Sequence, residues 1–577
     1  MTALIDRQDN SVSTSVYRDW PVALGLSLAT AILIVLPFFW LGNASGHDFA
    51  FHAASWIDVA GQWKEGIVFP RWAESANHGF GEPRFIFYPP LSWLLGAGLL
   101  FVAPWNHVPA ILIVVVQTFA GLSAFALARK LVAKKRGAFF AAVLYAANPY
   151  ALLLIYMRSD FAEQLAMAFF PLLVVAIFQI TGTIENRSGS RQRAITFFAV
   201  MFAVIWLSNA PAGVLASYSA ALLFVWAAVT QKSWRILGYG AGALALGFGL
   251  AGFYLVPAAY EQSWVKISQA LSSGLLPSQN FLYATIEDPE HNLFNWIASS
   301  TAILMILLTG ISAIAAHRIT LLARADNRGS LSHSRAWSAL FLLAAAATLL
   351  MLRRTSILWL VLPKLRFVQF PWRWMSILAV PFTCFLSIVV ARRRLGWIWA
   401  VIILAVSAGA ATWLIQHAWW DWDDIPVLQE GVARDEGYEG TDEYDPVGDD
   451  HYNLPERAPR VRVLRAVQPK SMAARATIRI DRWAAEEKKV RVTTPEPVQL
   501  ALRLLNYPSW RVEVNGVALA PERPEDTNQM IVPVPAGESY VHVKFIRTLD
   551  RTLGGAMSIL SVFILGALWF SGISKRG

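Results

Sequence analysis

An acid and an imidazole lie four residues apart directly after the first long apolar run, and both suit proton transfer. The segment 46–52 reads Gly-His-Asp-Phe-Ala-Phe-His. A helix that begins here would put Asp48 and His52 on one face. Two interpretations stay open: acid–base chemistry at the end of a membrane span, or an N-cap aspartate beside solvated histidines. A metal site would need a third ligand, which this pattern does not supply.

A second acid stands in the short polar turn between two later apolar runs. Residues 158–163 read Arg-Ser-Asp-Phe-Ala-Glu. Arg158 and Glu163 are either functional groups that face the same cavity as Asp48, or charged groups that snorkel from helix ends.

A later segment concentrates bases within 21 residues and ends in Gln-Phe-Pro-Trp-Arg-Trp at 369–374. The bases are Arg353, Arg354, Lys364, Arg366 and Arg373. Guanidinium groups bind phosphate bidentately, so the segment predicts an anion site to which Gln369 also contributes. The alternative is that these bases pair with lipid headgroups or with the acids of 421–450.

The aromatic stretches 69–72 and 80–88 contain further candidates for substrate contact. Arg71, Arg84 and Tyr88 lie among aromatic, glycine and proline residues. These aromatics either anchor a helix at the membrane interface or form the wall of a cleft for a sugar or a lipid headgroup. Glu261 is a further candidate, with a solvated loop as the alternative.

The elements that position these residues follow from composition. The chain has 577 residues, 56% of them hydrophobic and 15% charged, against about 25% charged in soluble domains. Mean hydropathy is +0.44, so the chain is predicted to be an α-helical polytopic membrane protein with about twelve spans. The apolar runs lie near 19–41, 108–129, 137–156, 162–181, 193–208, 211–229, 236–257, 297–316, 336–352, 372–391, 397–416 and 553–571.

The distribution of bases predicts the orientation of the chain. One further apolar run, 89–103, is short and flanked by prolines, so it is ambiguous whether it crosses the membrane. If it crossed, five bases between 129 and 136 would be exported. If it does not cross, the inner loops are all basic and both termini are cytoplasmic. This placement explains the net charge of +10 without a nucleic-acid partner. The first run is then a retained signal anchor.

Three domains follow from this arrangement. Residues 1–416 form the transmembrane module, 417–552 an external domain, and 553–577 the last span and a cytoplasmic tail. The other external segments are 42–107, 157–161, 258–296 and 353–371. The sequence contains no Walker-type phosphate loop and no Gly-x-Ser-x-Gly elbow, which argues against ATP hydrolysis and against an α/β-hydrolase.

The domain 417–552 carries 23 of the 39 acidic residues. Residues 421–450 hold twelve acids and one base, a composition typical of a solvated, partly irregular linker. From Val461 onward the pattern alternates with period two, which predicts an antiparallel β-sandwich before the last span. The predicted strands lie at 461–464, 476–480, 490–492, 498–505, 510–514, 529–534 and 540–546. The only cysteine, Cys384, lies in an apolar run, so the domain has no disulfide.

Several of these motifs together resemble the bacterial membrane proteins labelled "6-pyruvoyl-tetrahydropterin synthase-related". The motifs are the acid after the first span, Pro-Arg-Trp at 70–72, Phe-Tyr-Pro-Pro-Leu at 87–91, the pair Arg158 and Glu163, and Gln-Phe-Pro-Trp-Arg at 369–373. The stretch 506–516 resembles the terminal domain of related large bacterial membrane proteins. More widely, the chain is similar to GT-C class glycosyltransferases, in which an acid of the first external loop lies beside a polyprenyl-phosphate donor. Asp48 matches that acid, His52 lies nearby, and Glu163 is a looser match to a second acid.

The resemblance implies a GT-C-like fold and a glycosyltransferase at the outer face of a bacterial inner membrane. The donor would be a polyprenyl-phosphate sugar, the acceptor an envelope glycan, lipid or protein, and the surroundings membrane lipid. Asp48 would be the base, and the cations would be Arg158, Arg354, Arg366 and Arg373. The cofactor is unknown: a divalent cation stays open, and no pterin chemistry is expected without a three-histidine zinc site. The alternative is a non-catalytic polytopic protein that binds or exports an envelope polysaccharide or lipid.

Overall fold

Long apolar helices make up most of the computed structural model. It describes residues 2–132, 134–184, 190–325, 331–392, 396–448, 453–464, 476–522, 524 and 527–574. In this part of the chain, ten helices are long and apolar enough to cross a bilayer, or twelve if each of two bent pairs is one span. The chain is therefore a multi-pass membrane protein, and the twelve predicted runs are each matched by a helix or a bent pair.

Most helix bounds follow the apolar runs, but Thr2–Val35 begins well before its run and Pro289–Ala325 extends beyond its run at both ends. The helices of the membrane part are Thr2–Val35, Val108–Leu131, Lys135–Ala146, Pro149–Leu153, Phe161–Met167, Phe170–Ile180, Arg191–Ser208, Ala210–Thr230, Arg235–Leu250, Gly252–Tyr260, Pro289–Ala325, Leu331–Leu350, Met375–Arg392, Gly396–His417 and Leu549–Ser574. The bent pairs are Arg235–Leu250 with Gly252–Trp264, which turns by 78°, and Arg335–Leu350 with Arg353–Val361, which turns by 89°.

The ambiguous run 89–103 forms a helix of only 10 residues, Pro90–Leu99. At 1.5 Å per residue it is about 15 Å long, half of the roughly 30 Å hydrocarbon thickness of a bilayer. It packs on the helix Phe49–Lys64, where a Cβ on Gly96 would lie 2.3 Å from the ring of Trp56. Its length supports the prediction that this segment does not cross.

The five segments predicted to be external meet at one end of the helix bundle. Asn43 and Ala44 pair as a short strand with Asp421 and Trp420. The side-chain amide of Gln369 donates to the backbone carbonyl oxygen of Ala270 at 2.8 Å. The turn 157–161 contacts the start of the first loop, as described below. This gathering is what a common membrane face requires, and the assignment of that face as external remains a prediction from charge.

The acidic segment 421–448 differs from its predicted form. It was expected to be a solvated linker, but it folds into the helix Asp424–Ala433 and the short turn Asp442–Tyr444. Tyr438, Tyr444 and Asp445 are buried, and the Tyr438 hydroxyl donates to Asp58 Oδ2 at 2.9 Å. Aromatic residues spaced among the acids give this segment an apolar side, which the acid count alone conceals.

Two antiparallel sheets follow, and they confirm the predicted sandwich. The five-stranded sheet has the order Thr477–Ala484, Glu487–Thr494, Gly537–Phe545, Trp510–Val514, Val517–Leu519, and the three-stranded sheet has the order Val461–Leu464, Val498–Leu505, Gln529–Val534. Val490 and Val541 of one sheet share a buried core with Leu502 and Val532 of the other. The strand 517–519 was not predicted. It pairs back across the Asn515-Gly516 turn, where positive φ angles of 52° and 80° form a tight hairpin.

The sandwich is seated directly on the first loop. Trp72 of the Pro-Arg-Trp motif is fully buried, with its ring centroid 5.4 Å from that of Trp510 and 5.8 Å from that of Phe545. The Leu505 amide donates to the carbonyl of Phe80 at 3.0 Å. Trp72 and Phe80 therefore belong to a core between the loop and the sandwich, whereas Phe87 and Tyr88 of the same aromatic stretches line the cavity that the loops enclose.

Candidate functional site

A cavity of about 770 Å³ opens where the five segments meet. The predicted site residues on its wall are Asp48, Tyr88, Arg158, Gln369 and Arg373. They come from three segments that are distant in sequence, so the fold brings together much of the constellation that the sequence proposed. The volume lies within the range of about 300–1,000 Å³ typical of small-molecule sites.

Asp48 is fixed at the cavity by the turn 157–161. The Asp48 amide donates to the Arg158 carbonyl at 2.9 Å, and Ser159, with a left-handed φ of 53°, accepts from the Gly46 amide at 3.0 Å. Gly46 has to be a glycine here, because a Cβ would lie 2.3 Å from the carbonyl oxygen of Met157. The Nε and Nη2 atoms of Arg158 both donate to Asp48 Oδ2, Nε at 3.0 Å.

This pairing argues against the capping interpretation of Asp48, and the acid–base interpretation stays a prediction. The residue stands at the N-cap position of the helix Phe49–Lys64, but its side chain makes no capping hydrogen bond. It pairs instead with Arg158 at the cavity. His52 is buried behind the wall, its Nε2 atom 3.9 Å from Asp160 Oδ1.

Asp160 is the centre of the charge network, and the sequence did not single it out as a site residue. Its Oδ2 atom lies 3.7 Å from Nη2 of Arg158 and 3.5 Å from Nη2 of Arg373. Burial opposes the charge of Asp160, but the nearby imidazole and the two guanidinium groups outweigh it and hold its pKa well below the usual range. The sequence feature that could have identified Asp160 is its position in the same turn as Arg158.

Glu163 supports Arg373 from behind the cavity wall. Its Oε2 atom is 3.0 Å from Nε of Arg373, and its Oε1 atom accepts from the Tyr150 hydroxyl at 2.6 Å. Glu163 is buried and is not among the residues that line the cavity. The geometry suits a residue that orients Arg373 more than one that touches a substrate.

Two guanidinium groups share one aromatic ring. The Cζ atoms of Arg158 and Arg373 lie 5.0 Å and 4.9 Å from the ring centroid of Phe370. Phe370 in turn stacks on Trp372, with centroids 4.8 Å apart. Gln369 accepts from Nη1 of Arg373 at 3.2 Å, on a backbone with a positive φ of 65°. The Gln-Phe-Pro-Trp-Arg motif thus presents cations on aromatic faces, an arrangement that favours cations held out of water.

The cavity also contains titratable groups beyond the predicted site. They are His47, Asp288, Glu290, His291 and Glu443, and Lys364 of the predicted basic segment also lines the cavity. Burial and the charge of Arg158 lower the pKa of His47, which favours its neutral imidazole. Burial raises the pKa of Glu443 to about 7. Glu443 belongs to the acidic segment that the sequence predicted to be solvated, and the aromatic spacing of that segment is the signal that was missed.

The other predicted site residues lie away from the cavity. Arg84 is buried, with Nε 2.6 Å from Glu82 Oε1. The guanidinium of Arg71 lies over Phe69, 4.5 Å from the ring centroid. Arg354 and Arg366 are exposed at the surface.

Glu261 closes a buried ion pair with the last helix. Its two oxygens accept from Nε and Nη2 of Arg551, both at 2.8 Å, and Oε2 also accepts from the Tyr507 hydroxyl at 2.6 Å. The carboxylate is therefore fully engaged in joining the loop 258–296 to the sandwich and to the last span.

Among the residues that the structure describes, no group of three or more His, Cys, Asp or Glu side chains is arranged to hold a metal ion.

No family model and no curated protein sequence matches the chain. Solved structures with a similar chain course include a mutant arabinofuranosyltransferase AftD from Mycobacteria, at a TM-score of 0.41 and 17% identity over 73% of this chain and 30% of that chain. Another is the oligosaccharyltransferase from Archaeoglobus fulgidus, at a TM-score of 0.40 and 15% identity over 71% of this chain and 55% of that chain. This chain thus spans less than two thirds of the length of either protein, and the resemblance to the "6-pyruvoyl-tetrahydropterin synthase-related" proteins stays a prediction.

Proposed function

We propose that this protein is a membrane glycosyltransferase that transfers a sugar from a polyprenyl-phosphate donor to an envelope acceptor at the outer face of a bacterial inner membrane. One observation carries the proposal: Asp48, Arg158 and Arg373 share the wall of one cavity at the end of a helix bundle. An acid that can accept a proton thus lies beside two cations that can hold a phosphate.

The donor phosphate fits the cations around Phe370. Arg158 and Arg373 are planar donors suited to bidentate contacts with phosphate. Lys364 lies on the same wall, its Nζ atom 3.1 Å from the Gln262 side chain. A lipid-linked phosphate would reach them from the membrane, while its sugar would occupy the cavity.

The chemistry needs a base for the acceptor hydroxyl. In the transfer, the acceptor oxygen attacks the anomeric carbon, its proton passes to Asp48, and the bond between the anomeric carbon and the phosphate oxygen breaks. The polyprenyl phosphate leaves with the bonding electrons, and its negative charge is stabilised by Arg158 and Arg373. A positioned base contributes typically about 10²–10⁴-fold to such a rate.

Turnover by the purified full-length protein in lipid nanodiscs tests the proposal. Radiolabelled polyprenyl-phosphate sugars are supplied with extracted envelope acceptors, and both released polyprenyl phosphate and labelled product are measured. Transfer by the wild type, lost in Asp48→Asn, is the expected result. Donor binding without transfer under any condition would favour the alternative of a non-catalytic protein that binds or exports envelope material.

A further inference from the structure

The cavity has a second wall of different character, contributed by the acidic segment. The turn Asp442–Tyr444 places Glu443 and Tyr444 on the lining, beside Phe51, Phe87 and Tyr88. The Tyr444 ring is nearly parallel to that of Phe87, at 7° and a centroid distance of 6.0 Å. Phe51 meets Tyr88 edge-on at 4.6 Å. This aromatic wall (Phe51, Phe87, Tyr88 and Tyr444) comes from the first loop and the acidic segment, whereas the Phe370 ring that carries the arginines comes from the segment 353–371.

Hydrogen bonds hold the turn in place on its inner side. The Thr441 amide donates to Glu82 Oε2 at 2.8 Å, and Nη2 of Arg84 donates to the Thr441 hydroxyl at 3.1 Å. The side-chain amide of Asn77 donates to Asp445 Oδ1 at 3.0 Å. The segment is therefore a fixed part of the wall, and Arg84 acts by positioning it.

Glu443 differs from the two buried acids next to it, Glu82 and Asp445. Glu82 is paired with Arg84, and Asp445 accepts from Asn77. Within the described part of the chain, Glu443 accepts a hydrogen bond only from its own backbone amide. A carboxylate on a cavity wall has acceptor capacity left for a ligand, since an ionised carboxylate offers about four lone-pair sites.

We infer that the aromatic wall and Glu443 form a subsite for a neutral sugar unit of the acceptor. Aromatic faces pack on the C–H groups of a pyranose ring, and a carboxylate accepts hydrogen bonds from its hydroxyl groups. Above pH 7, where Glu443 is mostly ionised, its negative charge disfavours a phosphate here and distinguishes this subsite from the one at Arg158 and Arg373. The binding experiment is therefore run at pH 8. The inference rests on the proposed function and narrows its acceptor to a glycan.

Binding of simple glycosides tests the subsite without any need for turnover. The probes are methyl glucoside, methyl galactoside and methyl mannoside, applied at millimolar concentration to the full-length protein in nanodiscs. Saturation-transfer difference NMR reports the binding of each. The variants are Glu443→Gln, Thr441→Val and the matched control Glu439→Gln, which changes an exposed acid of the same segment. Thermal melting checks that each variant is folded.

At least one glycoside should bind the wild type and the control, and its affinity should fall about tenfold or more in Glu443→Gln, the size expected for a charged hydrogen bond. Thr441→Val should have a smaller effect, since its hydroxyl already bonds Arg84. No binding of any glycoside, equal binding by Glu443→Gln, or binding of tetramethylammonium in place of the glycosides would overturn the subsite. Glycoside binding in a protein without transferase activity would refute the proposed transfer and leave the subsite standing.

Discussion

Arg158 gives two hydrogen bonds to a single oxygen of Asp48: its Nε and Nη2 atoms both donate to Oδ2. In the described part of the chain, no side chain donates to the other oxygen, Oδ1, and Asp48 is about a third exposed at the cavity, with 31% of its side-chain surface accessible. A phosphate that bound Arg158 would compete with Asp48 for the same Nε and Nη2 atoms. The pair therefore links donor binding to the carboxylate that we propose as the base.

The first prediction concerns Asp48 as the base. Asp48→Asn keeps the shape of the side chain and its contact with Arg158 but removes the proton acceptor. We expect turnover to fall about 10²–10⁴-fold while donor affinity stays the same or rises, because Arg158 is released from an anion. Rate and donor affinity are measured separately in nanodiscs.

Glu290→Gln is the matched control for this experiment, since Glu290 is an exposed acid on the rim of the same cavity. It should retain its activity. Full turnover by Asp48→Asn would remove Asp48 from the catalytic role, and an equal loss in both variants would point to the general charge of the cavity.

The second prediction separates two arginines of the same segment. Arg373 lies on the cavity wall, whereas Arg366 is exposed outside it. Arg373→Lys keeps the charge beside Asp160 and Glu163 but loses the planar fork. Loss of a charge-assisted contact costs about 1.5–3 kcal/mol, so donor affinity should fall about 10–150-fold.

Arg366→Lys should bind the donor like the wild type, although the sequence placed both arginines in the same role. Titration of each variant with a polyprenyl-phosphate sugar gives the comparison. Equal affinity in Arg373→Lys and the wild type would leave Arg373 as a structural partner of the buried acids.

The sequence predicted the apolar spans well, because a span is a local property of about twenty residues. The twelve apolar runs and seven of the eight described strands of the sandwich were each readable from periodicity and hydropathy. The eighth strand, 517–519, was missed because three residues carry no alternating pattern. Local sequence patterns do not show which loops contact each other in the fold, and the site depends on those contacts.

The predicted site residues divide into those that line the cavity and those that lie elsewhere. Asp48, Arg158 and Arg373 could be proposed because acids and bases at span ends are costly unless used. Arg84 and Glu261 satisfied the same criterion but serve buried ion pairs within the protein. Glu443 was overlooked because an acid-rich composition indicates solvation. The buried contact of Tyr438 with Asp58, 380 residues away in sequence, is what fixes that segment.

The third prediction tests the short helix Pro90–Leu99. Val102 follows it and is highly exposed, with 79% of its surface accessible, and Lys134 lies at the other end of the next span. In a Cys384→Ser background, Val102→Cys should react with a membrane-impermeant maleimide added to intact spheroplasts, and Lys134→Cys should react only after lysis. The opposite pattern would mean that 89–103 crosses the bilayer and that the external assignment of the loops is wrong.

The fourth prediction concerns the ion pair between Glu261 and Arg551. Both side chains are buried, at 0% and 4% exposure. Glu261→Gln leaves a buried guanidinium without its anion, which costs typically about 3–5 kcal/mol. The melting temperature should fall clearly, while donor affinity in the surviving folded protein should stay unchanged.

The double variant Glu261→Leu with Arg551→Leu should recover much of that stability, because no charge is then left unpaired. Arg353→Gln, at an exposed arginine, is the control and should melt like the wild type. A loss of donor affinity in Glu261→Gln without a loss of stability would instead support the substrate contact that the sequence suggested.

The last prediction is the pH dependence that Glu443 gives to stability. Burial raises its pKa from about 4.5 to about 7, and Glu82, Arg84 and Asp442 are the charged groups that act on it. Between these two values the folded protein holds a proton that the unfolded chain has released, so this group lowers stability as pH rises from about 4.5 to 7.

Glu443→Gln removes that contribution. The variant should therefore gain in melting temperature over the wild type as pH rises through this window, with a constant difference above pH 8, whereas Glu439→Gln should follow the wild type at every pH. Melting curves of the three proteins in nanodiscs at pH 5, 6, 7 and 8 give the comparison. A difference between Glu443→Gln and the wild type that does not change with pH would show that Glu443 is ionised throughout, as expected of an acid in free contact with water.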